Sequence, residues 1–138
     1  MRSALRLVQL AALLSVTTVA ACASTPEPSE PPTTVRGLYI FHDGAHTLRP
    51  CGSNDTYWII GGDPLMEPLR TRSSARSTAL GQPHQGIYAE ITGALESPAQ
   101  PDVPPGYQTA LRAQGAHVLA DHLPASCSAP AVAPAPAG

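Results

Sequence analysis

A cysteine-containing turn that leads directly into a strand-like run is the feature that most constrains the fold of this 138-residue chain. Residues 50–55 are rich in turn formers, whereas residues 56–60 are all β-branched or aromatic. Residues of the first kind favour tight turns, and those of the second kind favour a pleated, half-buried strand. The stretch therefore predicts a turn that enters a core strand, in a chain long enough for one small core.

The N-terminus has the parts of a secretion signal: a basic head, an apolar run at residues 7–14, and small residues after it. The apolar run is too short to cross about 30 Å of hydrocarbon. Residues 19–22, Val-Ala-Ala-Cys, resemble the bacterial lipobox, which implies that residues 1–21 are a lipoprotein signal peptide and that Cys22 is lipidated, with palmitate-like acyl chains. Cleavage after Ala21 by an ordinary signal peptidase is the alternative, and it would release a soluble protein.

The segments on either side of the central region have compositions that do not support a packed core. Residues 22–33 combine the lipidated cysteine with a Pro-rich linker, and residues 128–138 form an Ala/Pro tail that we expect to be disordered. We therefore place the folded domain at residues 34–127. We expect the lipid bilayer as a partner, through acylated Cys22, because several acyl chains on one residue bind a membrane firmly. Ala23 and Ser24 place no aspartate just after Cys22, so the resemblance to sorted lipoproteins implies the periplasmic face of the outer membrane in a cell with two membranes.

The charge of the chain argues against a nucleic-acid partner. All eight basic residues are arginines, and beyond residue 22 six of them face ten carboxylates, for a net charge of about −4. Contacts to phosphates drive nucleic-acid affinity, and a lysine-free, net acidic surface offers few of them.

Turn signals divide the central region into five strand-like runs and one helix. The predicted strands are residues 35–41, 45–49, 56–60, 87–95 and 108–122, with the last of them broken at Gly115. A short helix follows Asp63-Pro64, either kinked at Pro68 or starting near Glu67, and residues 77–86 form a loop. The order β-β-β-α-β-β is that of the OB-fold, so we predict a mainly β domain with a small five-stranded OB-like barrel. A small β-sandwich is the alternative.

Four motifs of this region are similar to those of small bacterial envelope lipoprotein domains, in particular the C-terminal OB-like domain of NlpE. They are Gly37-Leu38-Tyr39, the run from Leu48 to Ser53, Tyr57-Trp58 and the run from Ile87 to Gly93. The resemblance covers residues 35–122 and implies an OB-like fold and an envelope location. The NlpE family carries a preceding domain with a Cys-x-x-Cys pair that is associated with copper and envelope stress, and no such pair occurs in this chain.

The cysteine count predicts a disulfide. The chain has three cysteines, and lipidation of Cys22 leaves Cys51 and Cys127 as a pair in an oxidising compartment. A bond between them closes a loop of about 77 residues, worth roughly 4 kcal/mol on the chain-entropy model. It would hold the C-terminal end of the domain against a core turn.

Candidate metal ligands flank the predicted Asp-Gly turn. His42, Asp43 and His46 are weak candidates for zinc or copper, because neutral imidazoles and a carboxylate suit both ions, although their spacing matches no helical histidine motif. The histidines are otherwise structural or exposed. No cofactor is predicted.

The sequence lacks a nucleophile-elbow motif, so we expect no enzyme. The predicted function is a membrane-anchored, non-enzymatic binding or structural module, with Tyr39, Phe41 and Trp58 as a candidate surface for an envelope protein or a cell-wall partner. Burial of all these aromatic residues in the core is the competing interpretation. A metal-handling (copper or zinc) or envelope-stress lipoprotein is the alternative function.

Overall fold

A computed structural model describes residues 30–128, which fold into five strands and one long helix. The strands are β1 (Thr33–His42), β2 (Ala45–Pro50), β3 (Tyr57–Ile60), β4 (Ile87–Glu96) and β5 (Thr109–Ala120), each within two residues of its predicted bounds. Helix α1 (Asp63–Leu80) lies between β3 and β4, and a 3₁₀ turn (Ala125–Cys127) follows β5. The predicted signal peptide and Cys22 lie outside the described residues, as do most of the linker and tail.

The five strands close into a barrel in the order β1-β2-β3-β5-β4, with β4 pairing back onto β1. Every neighbouring pair is antiparallel except β3 and β5, which run parallel and complete the closure. A closed barrel of this strand order, with its single helix after β3, is consistent with a small OB-like barrel. The predicted fold class is therefore confirmed, and closure rules out the β-sandwich alternative.

The barrel interior is filled by side chains that alternate along the strands. Fully buried residues come from all the elements: Tyr39, Leu48, Ile59, Met66, Leu69, Ile87, Ala89, Ile91 and Leu111. Because successive strand residues point to opposite faces, the residues next to Tyr39, namely Leu38 and Ile40, lie on the outer face of the barrel, where they are half-buried.

Two buried glycines allow neighbouring strands to approach closely. A Cβ atom at Gly37 would collide with the backbone carbonyl of Arg49, and one at Gly93 with that of Arg112. Glycine in a strand often marks such a bend or close approach. The register between β4 and β5 shifts between Thr92, which pairs with Gly115, and Gly93, which pairs with Ala113. The strand β5 is therefore continuous with a bulge near Gly115, and the expected break at this residue is wrong.

Helix α1 is longer than predicted. It begins at Asp63 and runs through Pro68 without interruption for 18 residues, so both the short helix and the start near Glu67 were wrong. Its buried side chains are Met66, Leu69 and Ser73, and this helical spacing packs one face onto the barrel. Packing of that face outweighs the one backbone hydrogen bond that a proline removes. No helix within residues 30–128 combines the length and apolar character that a membrane crossing needs.

The predicted disulfide between Cys51 and Cys127 is confirmed, and its two cysteines are 76 positions apart in the sequence. Cys51 lies just after β2, and its backbone N–H donates to the carbonyl of Arg36 in β1 (2.8 Å). Cys127 ends the 3₁₀ turn and is nearly fully buried. The bond thus attaches the C-terminal segment to the first hairpin of the barrel.

Candidate functional site

The turn between β1 and β2 determines which face each of its flanking histidines occupies. Asp43 and Gly44 both have positive φ values, 50° and 78°, as a two-residue type I′ hairpin requires. The register pairs His42 with Ala45 and Phe41 with His46. His42 and His46 therefore lie on opposite faces of the hairpin, because neighbouring residues of a strand alternate between faces.

His46 contacts the core instead of a metal site. Its Nδ1 lies 2.5 Å from the hydroxyl of Tyr39, which is fully buried. Burial, together with the charge of Arg70, lowers the pKa of His46, and burial raises the pKa of Tyr39. Both shifts favour a neutral phenol that donates to a neutral imidazole. The predicted grouping of His46 with His42 and Asp43 is wrong for this reason.

His84 takes the place that the sequence analysis gave to His46. One nitrogen from each of His42 and His84 and a carboxylate oxygen of Asp43 all lie within 4.8 Å of one another. The two imidazole rings are 4.6 Å apart between centroids. We call these three residues the histidine cluster. It lies in a cleft that is also lined by Phe41, Ser74, Ser77 and Pro83.

A buried serine holds the loop of His84 against the end of β1. The Ser73 hydroxyl accepts from the backbone N–H of Phe41 (3.1 Å) and donates to the carbonyl of Gln85 (2.9 Å). Pairing of β1 with β4 ends at Tyr39, so the N–H of Phe41 lacks a partner on that strand. One side chain therefore connects helix, strand and loop, and it positions both halves of the histidine cluster.

Nothing in the sequence indicated that His84 would reach His42. The two residues are 42 positions apart, and His84 lies in a loop whose direction depends on where α1 ends. The helix ends at Leu80 and is capped by Gly81, which has φ 62°. A glycine in this conformation is a common helix terminator, so Gly81 was the one local signal for the true end of the helix.

The aromatic candidates divide between the interior and the outer face. Tyr39 is 0% exposed, so its predicted place in a binding surface is wrong. Phe41 is half-buried and packs against the core, with its ring 5.0 Å from that of His46. Trp58 lies on the outer face, because its neighbour Ile59 points into the core, and it remains half-buried.

Trp58 packs against a second aromatic residue that the sequence analysis did not select. Its ring lies 5.2 Å from that of Tyr107, which belongs to the loop between β4 and β5. The register places Thr47 of β2 and Ala110 of β5 beside Trp58. Both of these small residues are buried. We call Trp58, which lies next to these two buried residues, and Tyr107 the outer aromatic patch.

The chain matches no protein-family model, and the search of curated proteins finds no similar chain. The resemblance to the NlpE domain stays a prediction from the motifs that carry it.

Proposed function

We propose that the protein is a membrane-anchored lipoprotein of the bacterial envelope whose OB-like domain is a non-enzymatic binding or structural module. Cys22 is the proposed anchor, and the Pro-rich linker spaces the domain from the bilayer. The observation that carries the binding role is the pairing of Trp58 with Tyr107 on the outer face of the barrel. The proposed partner is an envelope protein or a cell-wall component.

The location of the outer aromatic patch supports this role. OB-fold barrels bind ligands on the face of their second and third strands and on the flanking loops, including the loop between strands 4 and 5. Trp58 comes from β3, where it pairs with Thr47 of β2, and Tyr107 comes from the β4–β5 loop. Aromatic side chains supply large contact areas at low entropic cost and dominate binding hot spots.

Crosslinking in native envelopes tests the binding role. Trp58→Ala should lower the yield of crosslinked partner while leaving the domain folded, because the side chain lies on the outer face. Tyr88→Ala is the matched control, since Tyr88 is also a half-buried aromatic residue next to inward-facing neighbours. It pairs with Ala120 at one end of β5, whereas Trp58 pairs with Ala110 at the other.

Thermal unfolding of both variants separates binding from stability. The proposal predicts that the crosslinked yield falls with Trp58→Ala alone at a temperature where wild type and both variants are folded. Equal losses of yield in the two variants, or a loss that follows stability, would show that the patch is not a binding surface.

The membrane anchor has its own test. Cys22→Ser should remain an uncleaved precursor without acyl chains, because the thiol is the site of lipid attachment in the proposed processing. Fractionation of the wild type in a two-membrane cell should place it in the outer membrane. A Cys22→Ser protein that is still processed and acylated would disprove the anchor.

The second candidate function is that of a lipoprotein that handles copper or zinc or that acts in envelope stress. The specific observation in its favour is the histidine cluster, which the fold assembles from two separate segments. The residues that would carry this role do not belong to the outer aromatic patch.

A further inference from the structure

We infer that His42, Asp43 and His84 form a surface site for one divalent transition-metal ion, with Zn²⁺ and Cu²⁺ as the ions that fit its donors. This inference deepens the metal-handling alternative. Its failure would leave partner binding by the outer aromatic patch untouched, because the two sites share no residue.

The cluster joins two segments that the fold holds independently of any ion. His42 and Asp43 belong to the first hairpin, whose backbone conformation follows from the Asp-Gly turn. His84 belongs to the loop after α1, which Ser73 and Ser77 attach through hydrogen bonds to Gln85. The ligands therefore converge as a consequence of the backbone, and an ion would find them preassembled, which limits the entropy lost on binding.

The donor set matches transition metals better than magnesium or calcium. Two imidazoles and one carboxylate suit zinc and copper, whereas magnesium and calcium prefer oxygen ligands alone. Three protein ligands leave a fourth position open to water. Among the described residues, the lining of this cleft contains no arginine, so no fixed positive charge lies there to oppose a cation.

The Nδ1 atom of His42 is a polar atom that residues 30–128 leave without a hydrogen-bond partner. It is buried from solvent and makes no hydrogen bond within the described chain. The nearest carboxylate oxygen, on Asp43, is 3.7 Å away, which is too long for a hydrogen bond. Buried polar atoms in proteins almost always have a hydrogen-bond partner. A bound ion could satisfy this imidazole either by binding Nδ1 itself or by bringing the Asp43 carboxylate within hydrogen-bond distance of it.

Only small side-chain rotations separate the cluster from a coordination geometry. Tetrahedral zinc places neighbouring ligand atoms about 3.3 Å apart, whereas the three donor atoms here lie within 4.8 Å. The Asp43 side chain is 93% exposed and His84 is exposed. Both can rotate toward an ion without disturbing the core.

The test is a titration of the full chain in detergent micelles with ZnSO₄ or CuSO₄ alone, in a buffer without chelators. We expect one ion per chain by calorimetry and a higher midpoint of thermal unfolding at saturation, because a ligand of the native state stabilises it. The spectrum of bound Cu²⁺ in electron paramagnetic resonance should show coupling to two imidazole nitrogens.

Matched substitutions assign the site. His84→Gln should weaken binding at least about tenfold, since even the loss of a residue that only orients a ligand costs 10- to 100-fold. His117→Gln makes the same change at an exposed histidine outside the cluster and should leave affinity unchanged. Asp43→Asn keeps a favourable hairpin turn, as Asn-Gly, while removing the charge, and it should weaken binding less than His84→Gln.

Two results would overturn the site. One is a wild-type chain that binds neither ion more tightly than the His84→Gln variant does. The other is an equal loss of affinity in His84→Gln and His117→Gln, which would mean adventitious binding to exposed histidines. Circular dichroism of each variant verifies that the barrel is folded, so that a loss of binding cannot be attributed to unfolding.

Discussion

The barrel interior and the two outer segments, residues 81–86 and 121–128, are held in different ways. The interior consists of fully buried, almost entirely apolar side chains whose stabilisation is shared among many contacts. The outer segments are attached by a few individual bonds: the disulfide of Cys127, the paired hydrogen bonds between Arg72 and Asp121, and the contact of Ser73 with Gln85. Changes in the interior should therefore unfold the domain, whereas changes in the outer segments should release them locally.

The two histidines beside the first turn show the same contrast at a smaller scale. His46 faces the interior, where its Nδ1 is hydrogen-bonded to the Tyr39 hydroxyl and burial lowers its pKa, which favours the neutral imidazole. His42 faces the outer cleft, where its Nδ1 has no hydrogen-bond partner in the described chain. Residues only four positions apart thus have different chemistry, because one supports the core and the other is left available to a ligand.

Tyr39→Ala should have the largest effect, because it removes a fully buried aromatic side chain from the interior. We expect the free energy of unfolding to fall by about 3–5 kcal/mol, as in other large-to-small core truncations, measured by urea denaturation. Leu119→Ala, at a leucine that is 42% exposed, should change it by less than about 0.5 kcal/mol. Similar values for the two variants would contradict the division between interior and surface.

Replacing both Cys51 and Cys127 by serine should have the next largest effect. We expect a loss of about 2–4 kcal/mol, because the disulfide restricts the unfolded chain over a long loop. Native-state hydrogen exchange should show that residues 121–128 lose most of their protection, whereas the slowest-exchanging amides of the barrel strands lose only what the lower free energy of global unfolding requires. An equal loss of protection in residues 121–128 and in the barrel strands would show that this segment is not attached locally.

Ser73→Ala should cost about 1–3 kcal/mol, because it leaves the N–H of Phe41 and the carbonyl of Gln85 without their buried partner. The neighbouring exposed Ser74 offers a control, and Ser74→Ala should be nearly neutral. Urea denaturation measures both. If Ser73→Ala is as mild as the control, water replaces the hydroxyl and the serine does not hold the loop.

The pH dependence of stability should show the smallest effect and reports on His46. Its pKa is lower in the folded protein than the ordinary value of 6.5, so the unfolded chain binds more protons in the interval between the two. The free energy of unfolding should therefore be fully retained above pH 6.5 and should fall as the pH decreases below it. His46→Gln should remove this decrease, whereas His117→Gln should keep it, as measured by urea denaturation from pH 7.5 to 5.

Acidic groups should affect a lower pH range. Hydrogen bonding lowers the pKa of Asp121, through Arg72, and that of Glu67, through Thr71 and Arg70. Their contribution is present above the ordinary carboxyl pKa and is lost as the pH falls through the lowered values. A decrease that begins only in this acidic range, and that His46→Gln does not alter, would contradict the assignment to His46.

The order of the elements, the first turn and the disulfide were determined by the sequence alone. Alternating apolar residues and turn formers act within a few residues of chain, so strands and the Asp-Gly hairpin could be predicted close to their true bounds. The disulfide followed from the number of cysteines and their positions relative to the strands. These properties depend on local backbone preferences and simple counting, and neither requires knowledge of distant contacts.

The tertiary structure alone decided which faces are inside and which residues meet. β1 is apolar on both faces, so only closure of the barrel determined that Tyr39 is buried and that Leu38 and Ile40 lie outside. Packing of α1 on the barrel carried the helix through Pro68, and the true end of that helix brought His84 to His42. Burial and contact between distant segments depend on how the whole chain closes, which local preferences do not encode.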